Sequence, residues 1–181
     1  MNITETGIKD LLIIKPTVFE DDRGYFFESF NQQKFNDKTG LDIHFVQDNQ
    51  SMSQKGVLRG LHFQAPPFAQ DKLVSVIKGR VLDVALDIRK DSPTYGQHYV
   101  CEISEQNKLQ FIVPAGFAHG FVTLEDNTIF SYKCSNYYEP SSEDCIAWND
   151  PVLNIDWMIE NPVLSQKDTL GKSFQTFNSP F

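Results

Sequence analysis

A succession of short apolar, alternating segments separated by turn-forming residues constrains this chain most, because a strand presents one face at every second residue. Val74–Ile77, the triplet Lys78-Gly79-Arg80 and Val81–Ile88 read as a β-hairpin, with apolar residues recurring at 82, 84, 86 and 88. Leu11–Ile14, His44–Asp48, His98–Ile103, Leu109–Val113, Gly120–Leu124 and Thr128–Cys134 are further strand candidates. Ser92-Pro93-Thr94, Glu125-Asp126-Asn127 and Glu139-Pro140-Ser141-Ser142 separate them as turns. One helix is expected, with Asn31 capping Gln32–Lys38 and Gly40 ending it. Many short strands and few helices predict an all-β jelly roll, whose two sheets enclose a cavity lined by alternate residues.

Size and charge narrow the function. The 181 residues, 40% hydrophobic and 13% aromatic, suffice for a sizeable core. No linker, charge block or repeat divides them, so residues 1–181 are expected to form one domain. A formal charge of −8 leaves no basic face for nucleic acid or an anionic membrane. Any anionic ligand must be held locally. The apolar run Leu11–Ile14 is too short for a signal segment or a membrane span, which points to the cytoplasm. Cys101, Cys134 and Cys145 lack metal-ligand or redox spacing and are expected to be reduced thiols.

Two stretches, Gly56–Gln64 and Pro114–Phe121, each set one histidine beside glycines inside strand-like sequence. An imidazole with a pKa of about 6.5 is a general base near neutral pH, so His62, close to Arg59, is a candidate base and His119 a candidate partner. On the residues alone, either is equally a satisfied core histidine. Lys72 opens a strand and reads as a solvated edge residue or a cation at a barrel mouth. Asp83 and Asp87 alternate with apolar residues; Asp87 is expected to face solvent, while Asp83 is left open. Tyr132, Tyr137 and Tyr138 are aromatic core, or else phenols available as acids and stacking surfaces. A metal centre is not expected. Gln64 stands where a second histidine ligand would be needed, no glutamate follows at short spacing, and two histidines with a lysine are a poor divalent site.

Phe19–Phe30, Val46–Asn49, Gly56–Gln64, Gln70–Val74, Asp83–Arg89, Pro114–Phe121, Tyr132-Lys133, Tyr137-Tyr138, Glu143, Trp148–Pro151 and Leu164–Asp168 occur in an order that carries a resemblance. Over nearly its whole length the chain closely resembles the dTDP-4-dehydrorhamnose 3,5-epimerases. Any one segment is weak, and the ordered set is specific. The resemblance implies a cupin-type jelly roll without metal or other cofactor, a homodimer exchanging N-terminal contacts, and a place in dTDP-L-rhamnose synthesis. Asp71 stands where glycine is expected, Ser75 where a basic residue is usual, and Cys145 in a loop that often contains glycine.

By the same resemblance the substrate is dTDP-4-dehydro-6-deoxy-D-glucose, whose C4 ketone acidifies the protons on C3 and C5. His62 is then the base, Asp168 its orienting partner, Lys72 the cation beside the developing enolate, and Tyr132 the acid on the opposite face. A fixed donor at such an oxyanion contributes about 2.7–4 kcal/mol. Asp83 joins this catalytic set. Arg23 and Arg59 are expected to clamp the pyrophosphate through planar bidentate contacts, and Tyr138 to stack on thymine. Glu28, Gln47, Asp48, Asn49, His119, Glu143 and Lys167 match nucleotide- or sugar-contacting positions, although Glu143 and Lys167 are also ordinary surface types. A relative inverting only one centre, a ketoisomerase, and a catalytically silent nucleotide-sugar binding protein remain as alternatives. The last is disfavoured because His62, Lys72 and Tyr132 are all present.

Overall fold

A computed structural model describes residues 1–181. The strands are β1 (Asn2–Glu5), β2 (Leu12–Lys15), β3 (Phe19–Asp21), β4 (Gly24–Phe26), β5 (Gln47–Ser53), β6 (Leu58–Gln64), β7 (Lys72–Lys78), β8 (Arg80–Asp87), β9 (His98–Ser104), β10 (Gln110–Val113), β11 (Phe117–Thr123), β12 (Thr128–Cys134) and β13 (Glu143–Cys145). One helix, α1 (Gln32–Thr39), precedes β5. A six-stranded sheet in the order β1-β2-β10-β7-β12-β5 faces a five-stranded sheet in the order β13-β6-β11-β8-β9, and β3 and β4 form a separate hairpin. The expected all-β jelly roll is the observed architecture.

The two-residue repeat of the strands divides the apolar residues between two layers. Val74, Val76, Val81, Ala85, Phe111, Phe121 and Phe130 fill the space between the sheets. The alternate residues Leu82, Val84 and Leu86 of β8 turn outward and pack with Leu58, Leu61, Ile146 and Trp157 under the C-terminal segment. On the other side, Phe35 of α1 covers Leu12, Ile14, Leu73 and Ile112. Each such fully buried side chain contributes about 1.5–3 kcal/mol relative to exposure. The helix starts where Asn31 accepts a hydrogen bond from the Lys34 N–H and ends at Gly40, which has φ +71°.

The expected hairpin through Lys78-Gly79-Arg80 is not formed. β7 pairs with β10 and β12, whereas β8 pairs with β9 and β11, so the triplet carries the chain from one sheet to the other. β8 is almost wholly buried and β7 carries the buried apolar residues Leu73, Val74 and Val76, and such a short apolar run does not record which partner it will take. The strand expected over His44–Asp48 begins instead at Gln47 and runs to Ser53, where polar residues alternate inward along β12. Asp87 is a third correction. It is buried, not solvated, because Arg89, Ser92 and Thr94 all donate hydrogen bonds to its carboxylate.

Candidate active site

β11 and β6 pair so that His119 and His62 are direct cross-strand partners. The close approach needs glycine: Gly60 has φ +137°, and a Cβ on it would lie 2.5 Å from the Gly120 Cα. The two glycine–histidine stretches of the sequence therefore interlock at one place between the sheets.

Each histidine has its own aspartate. His62 is half-buried, with Nε2 at 2.7 Å from Asp168 Oδ1; the oxygen lies off the ring N–H axis, so the contact is an ion-pair distance without an aligned hydrogen bond. Asp168 sits on a short 3-10 turn, where Oδ1 accepts from the Gly60 N–H at 3.1 Å and Oδ2 from the Ser165 hydroxyl at 2.6 Å. Burial would raise its pKa, but the contacts with His62, Ser165 and Gly60 outweigh burial and hold the carboxyl well below the usual range. Asp83 serves His119 instead. Its Oδ1 lies 2.8 Å from His119 Nε2, both side chains are buried, and Asp83 Oδ2 has no partner.

The opposite sheet supplies a cation and a phenol. Lys72 and Tyr132 project inward from β7 and β12 and line, with His62, Gln47, Asn49, Gln64, Gln70, Tyr138 and Glu143, a cavity of about 310 Å³. Burial lowers the Lys72 pKa, opposed by the nearby Cys134, Glu143 and Asp83. Burial pushes the Tyr132 phenol up to about 12, helped by Cys134 and Glu143, so it is protonated at neutral pH. At the rim the Tyr138 hydroxyl donates to Glu143 Oε2 at 2.6 Å, and Lys167 pairs with the same carboxylate. These two partners outweigh the burial of Glu143 and lower its pKa.

Two glutamines shape the wall: Gln47 stood among the expected nucleotide- or sugar-contacting residues, whereas a role for Gln64 in the site was missed by sequence reasoning. Gln64 donates to the carbonyls of Phe68 and Tyr137 and accepts from the Glu139 N–H, while Gln47 accepts from the Tyr138 N–H at 3.0 Å. Their inward alternation with polar neighbours on β5 and β6 was the available signal. Asp71 is also built in. It accepts from the Ala115 N–H at 2.9 Å and from the Ser135 hydroxyl at 2.7 Å, tying the start of β7 to the approach of β11 and the end of β12.

Not every expected residue reaches the cavity within this chain. Arg23 is exposed on the β3–β4 hairpin and pairs with Asp21, and Glu28 pairs with Lys34 at 2.9 Å. Asp48 points outward from β5 to Lys133 at 2.9 Å. Arg59 is exposed and contacts the Ser53 hydroxyl at 3.2 Å. A second cavity, about 390 Å³, lies on the outer face of the six-stranded sheet beside Tyr25, Ser75, Ile77 and Lys133, and includes neither His62 nor Lys72. No helix is long and apolar enough to cross a membrane.

The arrangement pairs a carboxylate-backed imidazole with a protonated phenol and a half-buried lysine amine across one polar cavity, a set suited to moving protons at carbon beside a carbonyl. Comparison with known proteins agrees with that chemistry. The family model described as dTDP-4-dehydrorhamnose 3,5-epimerase matches residues 5–176. The dTDP-4-dehydrorhamnose 3,5-epimerase of Salmonella typhimurium is 54% identical over 169 residues, covering 93% of this chain and 92% of that protein. The crystal structure of the Elizabethkingia anophelis enzyme of that name superposes with a TM-score of 0.92 at 54% identity, covering 97% of each chain. The Legionella pneumophila dTDP-6-deoxy-D-glucose-3,5-epimerase, solved in complex with dTDP-4-keto-L-rhamnose, has a TM-score of 0.94 at 49% identity, covering 98% of this chain and 94% of that one. The chain belongs to the dTDP-4-dehydrorhamnose 3,5-epimerase family.

Proposed function

We propose that this chain inverts C3 and C5 of dTDP-4-dehydro-6-deoxy-D-glucose to give dTDP-4-dehydro-L-rhamnose, as a 3,5-epimerase of dTDP-L-rhamnose synthesis. The observation that carries the reading is one cavity with His62 on one sheet and Lys72 and Tyr132 on the other. Inversion at carbon needs a base and an acid on different sides of the sugar ring. His62 removes the proton from C3 or C5, and Asp168 stabilises the imidazolium that results. The electron pair moves into the C4 carbonyl, where Lys72 offsets the charge of the enolate. Tyr132 returns a proton from the opposite face, and because both carbons flank the same ketone, one base serves twice. His119, fixed by Asp83, adds a polar contact near the ketone. The ligand carried by the Legionella relative supports this substrate class.

The nucleotide is held at the rim, with Tyr138 against thymine, Glu143 and Lys167 beside it, and Arg59 on the pyrophosphate. Arg23 and Glu28 complete the site from a second copy of the chain. A homodimer accounts for their distance from the cavity and for the exposed side chains Phe19, Tyr25, Phe26, Met52 and Ile77. The protein works in the cytoplasm, supplying a deoxysugar for cell-surface polysaccharide, without cofactor, nucleic acid or membrane partner.

The test is product analysis by NMR after incubation with dTDP-4-dehydro-6-deoxy-D-glucose. Inversion at both centres is expected. A product inverted at one centre only makes the chain a monoepimerase, a keto group at C3 makes it a ketoisomerase, and unchanged substrate contradicts the enzymatic reading.

A further inference from the structure

β13 pairs with β6 so that Cys145 stands directly across from His62. Its thiol, the His62 imidazole and the Asp168 carboxylate each place one donor atom within 4.8 Å of the others. The mechanism uses the histidine and the aspartate and has no task for the cysteine. Sulfur, imidazole nitrogen and carboxylate oxygen are the three donor types that zinc combines, and three protein ligands leave a fourth position for water. With metal–ligand distances of about 2.0–2.3 Å, tetrahedral geometry sets its donors roughly 3–4 Å apart. The three donor atoms, within 4.8 Å of one another, lie near that spacing, with the Cys145 thiol now directed at the Ile146 carbonyl at 3.5 Å. His62 Nε2 has no aligned hydrogen bond to surrender. Asp168 is already oriented from behind by Ser165 and the Gly60 N–H, the outer-shell support that a ligating carboxylate requires.

We propose that His62, Cys145 and Asp168 form an inhibitory zinc site, in which Zn²⁺ occupies the imidazole that otherwise acts as base. On binding, the Cys145 thiol gives up its proton to water and the thiolate joins the metal. The site itself follows from the donor cluster, while the loss of turnover rests on His62 being the base.

Co²⁺ is the probe for the site, because a thiolate bound to Co²⁺ gives a charge-transfer absorption. Wild-type protein is expected to show this band at one equivalent of Co²⁺, and Zn²⁺ to abolish it by displacement. Cys145→Ser and Cys145→Ala should lack the band. Zn²⁺ should inhibit wild-type turnover reversibly, with recovery on adding EDTA, and both variants should keep basal turnover and need at least tenfold more Zn²⁺ for half inhibition. Absence of the band in wild type, or equal zinc sensitivity in wild type and both variants, overturns the proposal. Because the cobalt spectrum is read without substrate, failure of the epimerase reading and failure of the metal site are separable.

Discussion

His62 and Asp168 meet at 2.7 Å, one on a central strand of the five-stranded sheet and the other on a 3-10 turn close to the C-terminus. Gly60, two residues before His62, donates its N–H to the same carboxylate, so the strand and the turn are locked together at the proposed base. The ring is thereby held beside a permanent negative charge, which favours the imidazolium formed when a proton leaves carbon.

That lock predicts a pH-dependent stability. The folded protein favours the ionised Asp168, so its contribution is present above the unfolded carboxylate pKa of about 3.9 and is lost as the pH falls toward the depressed folded value. In Asp168→Asn the amide also faces the Gly60 N–H. The difference in Tm between wild type and this variant should be full at pH 7 and shrink progressively below about pH 4. A constant difference from pH 7 to pH 3 in thermal melts would speak against an ionised Asp168 as the lock.

Tyr132, as the proposed acid, separates the two halves of the proposed reaction. Its phenol is protonated at neutral pH because burial pushes its pKa to about 12, and it lines the cavity from the sheet opposite His62. Tyr132→Phe should still admit deuterium at C3 through return of the proton from the His62 side, while inversion at C5 falls by about 10²-fold or more, in the range of general-acid contributions. Inversion at the wild-type rate, followed by NMR, would assign the acid to another group.

Much of the fold was legible because local rules and the global structure agree. Asn31 and Gly40 mark the ends of α1, and the strand carrying Tyr132 was expected with its observed bounds, whereas the strand expected from Gly120 begins three residues earlier, at Phe117, and so takes in His119. The Lys78-Gly79-Arg80 connection misled because a turn between two buried strands looks the same whether they pair or part to opposite sheets. Asp87 misled for another reason. Its alternation with apolar residues suggested the solvent face, but the ligands that make burial tolerable, Arg89, Ser92 and Thr94, lie beyond the strand. In the site, the convergence of His62 with Asp168 has no local signature, since no helical or strand period links the two positions. Only the resemblance named Asp168, and the knot formed by Asp71 with Ala115 and Ser135 was not foreseen at all.

The proposed completion of the site by a second subunit has a direct consequence. Arg23→Ala and His62→Asn should each be nearly inactive alone. Mixed and allowed to exchange subunits, they form heterodimers in which one site carries both His62 and Arg23, restoring roughly a quarter of wild-type sites at random assortment. Turnover that stays at the level of the separate variants, despite heterodimers detected by native mass spectrometry, would return Arg23 to its own subunit.

The central claim is that His62 removes protons from carbon on both sides of the ketone. Incubating the protein with dTDP-4-dehydro-6-deoxy-D-glucose in deuterium oxide and locating the label by NMR reads that step directly. Wild type should incorporate deuterium at C3 and at C5, and His62→Asn should incorporate it at neither, while binding dTDP within a few-fold of wild type. Label at both carbons in His62→Asn, or at neither in wild type, would contradict the account.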